Sequence, residues 1–334
     1  MSTQHTRRFV NRPEDIVDDS LAGLALAYPE LLRVHHQPNF VIRADAPVSG
    51  KVALISGSGS GHEPLNTGYV GKGMLDAACP GPIFTSATPD QMAAAVRAVD
   101  GGEGAILIVK NFTGGVLNAE MAVEMIAPDD LPVATIRVHD DVTITDVESR
   151  RGMGATVLVE KIAGAAAEEG RPLADVVAIG ERVSHQTRSI GVGWHTPLTA
   201  DPAGTSIQIG MGIHGEPGRY PFPTGQNGDW TPPQAEAIVE MLADFLLADQ
   251  PLHSGDEVLV LVSGMGGTPL IELFIIYRHL HQFLADRGIT VQRRLIGNFI
   301  TSLGAPGCSI SFLRLDPELT ALWDAPVHTA ALRW

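Results

Sequence analysis

Two histidines and a lysine stand where this sequence gathers its glycines. His214 is surrounded by Gly210, Gly212, Gly215 and Gly218, which leave bare backbone where side chains would otherwise shield the ring from a ligand. A neutral imidazole exposed in this way can serve as a metal ligand, a base or a nucleophile. His62 follows the run Ser56-Gly57-Ser58-Gly59-Ser60-Gly61. At the mouth of a glycine-rich strand end it is badly placed as a core filler and well placed to exchange protons with a bound small molecule. Lys110 ends an apolar run and precedes Asn111 and Thr113, where it can hold a substrate oxygen or phosphate or simply stand in solvent.

The glycine run itself follows a strand, where free backbone N–H groups can point at an anion or a carbonyl oxygen. It is neither a dinucleotide fingerprint, which needs glycine where His62 stands, nor a Walker loop, whose Gly-Lys-Ser/Thr is absent from the chain. Asp140 and Asp141, with His62, Glu63, His214 and Glu216, could in principle hold a metal. No pair among them has the His-x-x-x-His or Cys-x-x-Cys spacing that marks such sites, so metal is the weaker reading. The turn Ser263-Gly264-Met265-Gly266-Gly267-Thr268-Pro269 is fully explained by helix capping and close packing. Of the 12 histidines, His5, His35, His36, His279 and His281 have terminal, surface or packing explanations. Two tetrads echo each other: Gly61-His62-Glu63-Pro64 and His214-Gly215-Glu216-Pro217.

The elements that must position these residues alternate in period. Pro13 to Tyr28 reads as a helix with proline near its first turn. Asn39 to Ile42 and Val52 to Ile55 read as strands, and Thr88-Pro89-Asp90-Gln91 as a capping box opening a helix to Val99. Strand Ala105 to Val109, a helix from about Val116, strand Val133 to Val138, and helices Ala155 to Glu169 and Leu173 to Gln186 follow. This alternation predicts βα units on a largely parallel sheet. Ser189 to Gly204 is rich in glycine and proline without clear period and marks a boundary. Beyond it come strand Ser206 to Met211, helix Pro232 to Ala248 behind Thr231, strand Val258 to Val262, helix Pro269 to Ala285 behind Thr268, and strands near Leu295 and at Ser309 to Leu315. The fold class expected is α/β, with two α/β domains at 1–188 and 189–334.

The chain has 334 residues, 23 Lys plus Arg against 38 Asp plus Glu, and a formal charge of −15. A surface this acidic repels phosphate backbones and anionic lipid headgroups, so no nucleic-acid or membrane partner is expected. Cys79 and Cys308 are the only cysteines, too few for a disulfide framework, and a reducing, cytoplasmic setting fits. No apolar segment approaches the length that spans a bilayer, and no signal-type apolar stretch follows the N-terminal arginines.

Taken together, the motifs resemble the substrate-binding K subunit of the dihydroxyacetone kinases over nearly the whole chain. The resemblance rests on Arg43 to Val48 with Gly50 to Leu54, Ser58 to Pro64, Ala78 to Gly81 with Ile83 to Ser86, Asp100 to Gly104, Lys110 to Gly114, Gly212 to Gly218 and Leu322 to Thr329. It implies a two-domain homodimer that binds a short ketose, usually dihydroxyacetone, as a covalent hemiaminal on His214. A histidine adds to a ketone carbon but not to an alcohol, which selects dihydroxyacetone over glycerol. His62 is implied as proton donor and acceptor, Gly59 as a backbone contact and Lys110 as a further substrate contact. No cofactor is expected in this chain; ATP or ADP with Mg belongs on a separate L-type subunit, implied to be another polypeptide because the closing motif lies just before Trp334.

The family's aspartate, which takes the proton of the attacking hydroxyl, is replaced here by Gly115. A general base is typically worth 10²–10⁴-fold, yet a loose phosphoryl transfer depends mostly on positioning and charge neutralisation. The stretch Asp146 to Gly152 is also a few residues shorter than usual, and Ser263 stands for a frequent asparagine. Three readings follow: a ketose-kinase subunit, with Gly115 making room for a larger ketose; a ketose-binding sensor or coactivator that does not phosphorylate; and an enzyme acting differently on a small ketose, such as an isomerase using His62 and His214.

Overall fold

The structure is a computed structural model that describes residues 9–195, 206–221, 233–304 and 306–334. After a 3-10 turn at Pro13–Asp15 comes helix α1 (Ile16–Ala27), then strands β1 (Leu32–His35), β2 (Phe40–Arg43), β3 (Ala53–Ser60), β4 (Gly71–Lys72) and β5 (Ala77–Ile83). Helix α2 (Pro89–Val99), β6 (Ala105–Lys110), α3 (Thr113–Ile126) and β7 (Val133–Val138) complete a first sheet of order β1-β2-β5-β3-β6-β7. Strands β5, β3, β6 and β7 run parallel, and β1 and β2 are antiparallel additions at one edge.

Helices α4 (Ala155–Glu168) and α5 (Leu173–Gln186) lead to β8 (Thr187–His195), β9 (Ser206–Ile209), β10 (Tyr220–Pro221), α6 (Ala235–Asp249), β11 (Glu257–Met265), α7 (Leu270–Ala285), β12 (Thr290–Gly297), β13 (Gly307–Arg314), α8 (Pro317–Asp324) and β14 (His328–Thr329). The second sheet has the order β10-β9-β8-β13-β11-β12. Only its β11–β12 pair is parallel, so it is a mixed sheet rather than a repeat of the first. The stretch read as an aperiodic boundary begins inside β8, whose glycines carry the ladder to β13. Thr231 and Pro232, expected to open α6, lie outside the described residues; the helix is described from Ala235, behind Gln234.

The layers follow from alternation along the strands. Leu54, Ile106, Ile108, Ile136 and Val138 face α4 and α5, while Ile55, Leu107 and Val109 face α2 and α3. In the second sheet Leu259 and Leu313 join the α4 core and Val258, Val260 and Val262 pack under α6 and α7. Helix α4 is therefore buried from Ala155 to Ala167. The two-residue β14 pairs with β4, which returns the chain's end to the first sheet's side.

Candidate functional site

The Ser-Gly alternation before His62 is strand and not loop. Strand β3 continues through Ser60 in register with β5, and the segment 84–87 lies close over it: a Cβ on Gly57 would meet Ala87 Cβ at 3.3 Å and one on Gly59 would meet the Thr85 nitrogen at 2.5 Å. Only glycine permits that approach at residue 59. Chain connections leave β3 toward β5 on one side, whereas β6 leads to β7 on the other. The crevice at the C-terminal ends of β3 and β6 is thus a topological switch point, where ligands of open α/β sheets gather.

A pocket of about 190 Å³ sits there, lined by Gly57, Ser58, Gly59, Phe84, Ser86, Lys110, Phe112, Gly115 and His214. Four of the expected residues, Gly59, Lys110, Gly115 and His214, therefore share one wall system. His62 lies behind it, fully buried, its ring centroid 4.7 Å from that of His214 and 5.1 Å from that of Phe84. Phe84 and Phe112 meet the His214 ring edge to face at 5.4 and 4.6 Å, so three rings hold the imidazole in place. The sequence singles out neither phenylalanine: both lie inside the motifs that carry the resemblance, but nothing local announces that their rings cover a histidine.

Hydrogen bonds fix the tautomer of each histidine. The His62 Nδ1 is 2.9 Å from the Thr301 carbonyl, which can only accept, so Nδ1 carries the proton and Nε2 a lone pair. That Nε2 is buried without a partner among the described residues. Burial, followed by the charge on Lys110, pushes the ring down to about 3, leaving it neutral, with an Nε2 lone pair that can accept a hydrogen bond. His214 Nδ1 is 3.0 Å from Glu216 Oε1, and the His214 backbone N–H donates to Oε2 at 2.9 Å. Burial opposes ionisation of Glu216, but the hydrogen bond from His214, with the Arg151 charge behind it, prevails and holds it down to about 2. An ionised carboxylate takes the Nδ1 proton as a hydrogen bond and leaves the His214 Nε2 lone pair free.

The glycines around His214 serve this arrangement more than they open the ring. A Cβ on Gly212 would lie 2.1 Å from Glu216 Oε2, and Gly215 turns with φ +79°. Behind Glu216 stands Arg151, 3.9 Å away and paired to Asp141 at 2.5 Å. The two tetrads match in structure as in sequence: Glu63 accepts the Gly61 N–H and Glu216 the His214 N–H, each two residues back.

Other expected residues are occupied elsewhere. Asp140 accepts from the Met153 and Ala155 N–H groups at 2.7 and 2.9 Å, anchoring the start of α4. Asn111 donates to the carbonyls of Glu148 and Arg150 at 2.8 and 2.7 Å and ties down the short 146–152 loop. Ser263 accepts from the Phe299 and Ile300 N–H groups and donates to the Ile300 carbonyl, steadying the segment that presents Thr301 to His62. Thr268 accepts from the Gly307 N–H at 3.0 Å. Among the described residues no group of three or more His, Cys, Asp or Glu is set to hold a metal ion.

Lys110 is buried, not a solvated strand end; its Nζ has no partner among the described residues, and burial pushes it down to about 8 while Glu160 pulls the other way. Gly115 is buried in the first turn of α3, and the atom nearest a Cβ built there is the Lys110 carbonyl oxygen at 3.4 Å. Among the described residues no carboxylate lines the pocket.

Comparison with known proteins places this geometry. A family model described as the Dak1 domain matches residues 22–331. The dihydroxyacetone-binding subunit DhaK of a PEP-dependent dihydroxyacetone kinase from Escherichia coli (strain K12) is 43% identical, covering 98% of this chain and 99% of that protein. An L-erythrulose kinase from Pectobacterium atrosepticum is 33% identical over 97% of this chain and 55% of its own. The crystal structure of the dihydroxyacetone kinase of C. freundii superposes with a TM-score of 0.86 at 32% identity, covering 98% of this chain and 60% of that one.

Proposed function

From the premise that the chain belongs to the Dak1 domain family, we propose that it is the ketose-binding subunit of a dihydroxyacetone-kinase-like phosphotransferase. The observation that carries the reading is His214, its Nδ1 tied to an ionised Glu216 and its ring walled by Phe84 and Phe112 in a pocket that also presents Lys110. The free Nε2 lone pair adds to the ketose carbonyl carbon. The Nδ1 proton then passes by way of the Glu216 carboxylate to solvent and the alkoxide oxygen takes one from water, so the product is a neutral hemiaminal with a hydroxyl. His62 Nε2 accepts a proton or hydrogen bond from a substrate hydroxyl, the Gly59 backbone offers a further contact, and Lys110 meets a ketose oxygen.

Phosphate delivery is assigned to a separate L-type subunit that holds the nucleotide with Mg; the relative in Escherichia coli that matches end to end is itself named as one subunit of its kinase. The same reading takes the protein as a cytoplasmic homodimer of two α/β halves, 1–188 and 189–334, without measurable ATP affinity. The strands of the first sheet lie between residues 32 and 138 and those of the second between 187 and 314, and no helix among the described residues is long and apolar enough to cross a membrane. Light scattering and a nucleotide-binding assay test the assembly.

Titration calorimetry tests the site: dihydroxyacetone or a four-carbon ketose binds, glycerol does not, and His214→Ala abolishes binding. Undiminished binding by that variant removes the covalent model. Gly115 and the lack of a carboxylate among the described residues that line the pocket favour one second reading, a protein that captures the ketose without phosphorylating it. A coupled assay with an L-type subunit over three- and four-carbon ketoses separates the two.

A further inference from the structure

Three neighbouring groups are buried without a hydrogen-bond partner among the described residues: Lys110 Nζ, His62 Nε2 and both carboxylate oxygens of Glu160. The proposed function uses the first two and leaves the third unexplained. Glu160 lies in the second turn of α4, on a stretch where every residue from Ala155 to Ala167 is buried, and is itself fully inaccessible. An unpaired carboxylate in such a place is costly, and an apolar residue of similar volume would serve packing better.

Its surroundings narrow what it can do. Lys161, next on the helix, turns away to the Leu322 carbonyl at 2.8 Å. Tyr69, which senses the Glu160 charge, donates its hydroxyl to the Phe299 carbonyl at 2.5 Å. On β3, the Ser56 hydroxyl lies 3.3 Å from both Asn66 Oδ1 and the Ile108 carbonyl and favours the Glu160 carboxylate as an uncharged neighbour, less than Lys110 does. His62, which senses Lys110, is neutral. Lys110 alternates with Ile106 and Ile108 on the face of β6 that packs against α4, and it is the charge that remains for Glu160: burial pushes the Glu160 carboxyl up to about 8, Lys110 draws it back down, and Glu160 in turn is the charge that acts on Lys110.

We propose that Glu160 is a positioning residue of the pocket, its buried carboxylate supplying the counter-charge that keeps the Lys110 ammonium ionised where a ketose oxygen meets it. Burial alone favours a neutral amine, and a neutral amine makes a weaker bond to oxygen than an ammonium does. Glu160 opposes that preference from behind, without touching the substrate.

The inference rests on the ketose reading only for what Lys110 meets, and its first test needs no ketose. Nitrogen-15 and carbon-13 NMR titration of the Lys110 side chain, assigned with Lys110→Met, is run on the unliganded full-length protein and on Glu160→Gln. The midpoint of Lys110 falls by about one pH unit or more in Glu160→Gln, as loss of a close counter-charge requires, and the alkaline limb of ketose affinity moves down with it. A purely structural Glu160 lowers thermal stability and leaves that midpoint in place, which overturns the proposal. Should Glu160→Gln fold poorly, Glu160→Gln/Lys110→Met decides: the double variant is more stable than the sum of the single losses predicts, because neither charge is left alone. Simple additivity overturns the proposal as well. If the Lys110 titration moves but the wild-type protein binds no ketose at any pH, the ketose reading fails and the role of Glu160 stands.

Discussion

Glu216 grips His214 at two points, taking its backbone N–H at 2.9 Å and its ring Nδ1 at 3.0 Å. One carboxylate thereby sets the position of the residue and the tautomer of its ring, so a lone pair at Nε2 is present before any ligand arrives.

Replacing that carboxylate tests its charge apart from its shape. Glu216→Gln keeps an acceptor for Nδ1 but loses a charge-assisted bond worth about 1.5–3 kcal/mol. Ketose affinity in calorimetry falls roughly 10- to 100-fold, and thermal stability falls by no more than the loss of that bond accounts for. Unchanged affinity would show that the ring needs no charged partner.

Gly115 is where the kinase reading and the non-phosphorylating reading part. The first turn of α3 suits an acidic residue, and the nearest atom to a Cβ there, at 3.4 Å, makes ordinary contact, so Gly115→Asp folds. With an L-type partner present, it raises turnover on dihydroxyacetone by part of the roughly 10²–10⁴-fold a general base supplies. It lowers turnover on a four-carbon ketose, whose extra carbon needs the volume the side chain fills. No change on any ketose, while His214 still binds one, favours the non-phosphorylating reading.

The glycines of β3 differ in how strictly they are required. Gly59→Ala forces the backbone of Phe84 and Thr85 outward, since its Cβ would lie 2.5–2.7 Å from their main-chain atoms; stability drops by about 1–3 kcal/mol and ketose binding is lost as Phe84 shifts off the histidines. Gly57→Ala, with its nearest contact a side-chain Cβ at 3.2 Å, is milder on both counts. Denaturant unfolding and calorimetry together read the contrast; equal effects would remove the close approach at Gly59 as the reason for glycine.

His62 makes the protein sensitive to acid. Its folded value is lowered from 6.5 to about 3, so below about 6.5 the unfolded chain takes up the proton first. The associated stability is present above that pH and is lost as pH falls toward about 3. At pH 4.5 the loss from this one group is about 2–3 kcal/mol. His62→Gln, compared with the parent by urea unfolding at pH 7 and 4.5, shows a correspondingly smaller drop; equal drops would mean that the buried ring is protonated without strain.

Elements with local signals were legible in the sequence, and those whose logic is tertiary were not. Strand Val133–Val138 and helix Leu173–Gln186 have the limits their periodicity predicts, and the Gln91 side chain accepts the Thr88 N–H at 2.8 Å as its capping pattern requires. Strand β5 was hidden because Pro80, Gly81 and Pro82 interrupt it, residues that argue against a strand lying between two neighbours. The site divides in the same way. His62, Lys110 and His214 stand out by type and glycine context, whereas Phe84, Phe112 and Glu160 matter through neighbours distant in sequence, and an isolated glutamate inside a helical run carries no mark of the lysine it faces.

The bond from His62 Nδ1 to the Thr301 carbonyl spans 239 positions, and it places the pocket's maturation in time. A nascent chain emerging from the ribosome has made the glycine strand, Lys110 and even His214 well before residue 301 exists. Until then His62 has no partner to fix which nitrogen bears its proton. Fragments that stop short of Thr301 carry most of the ligand contacts but an unset base, so the competence to bind ketose arrives late in synthesis and abruptly.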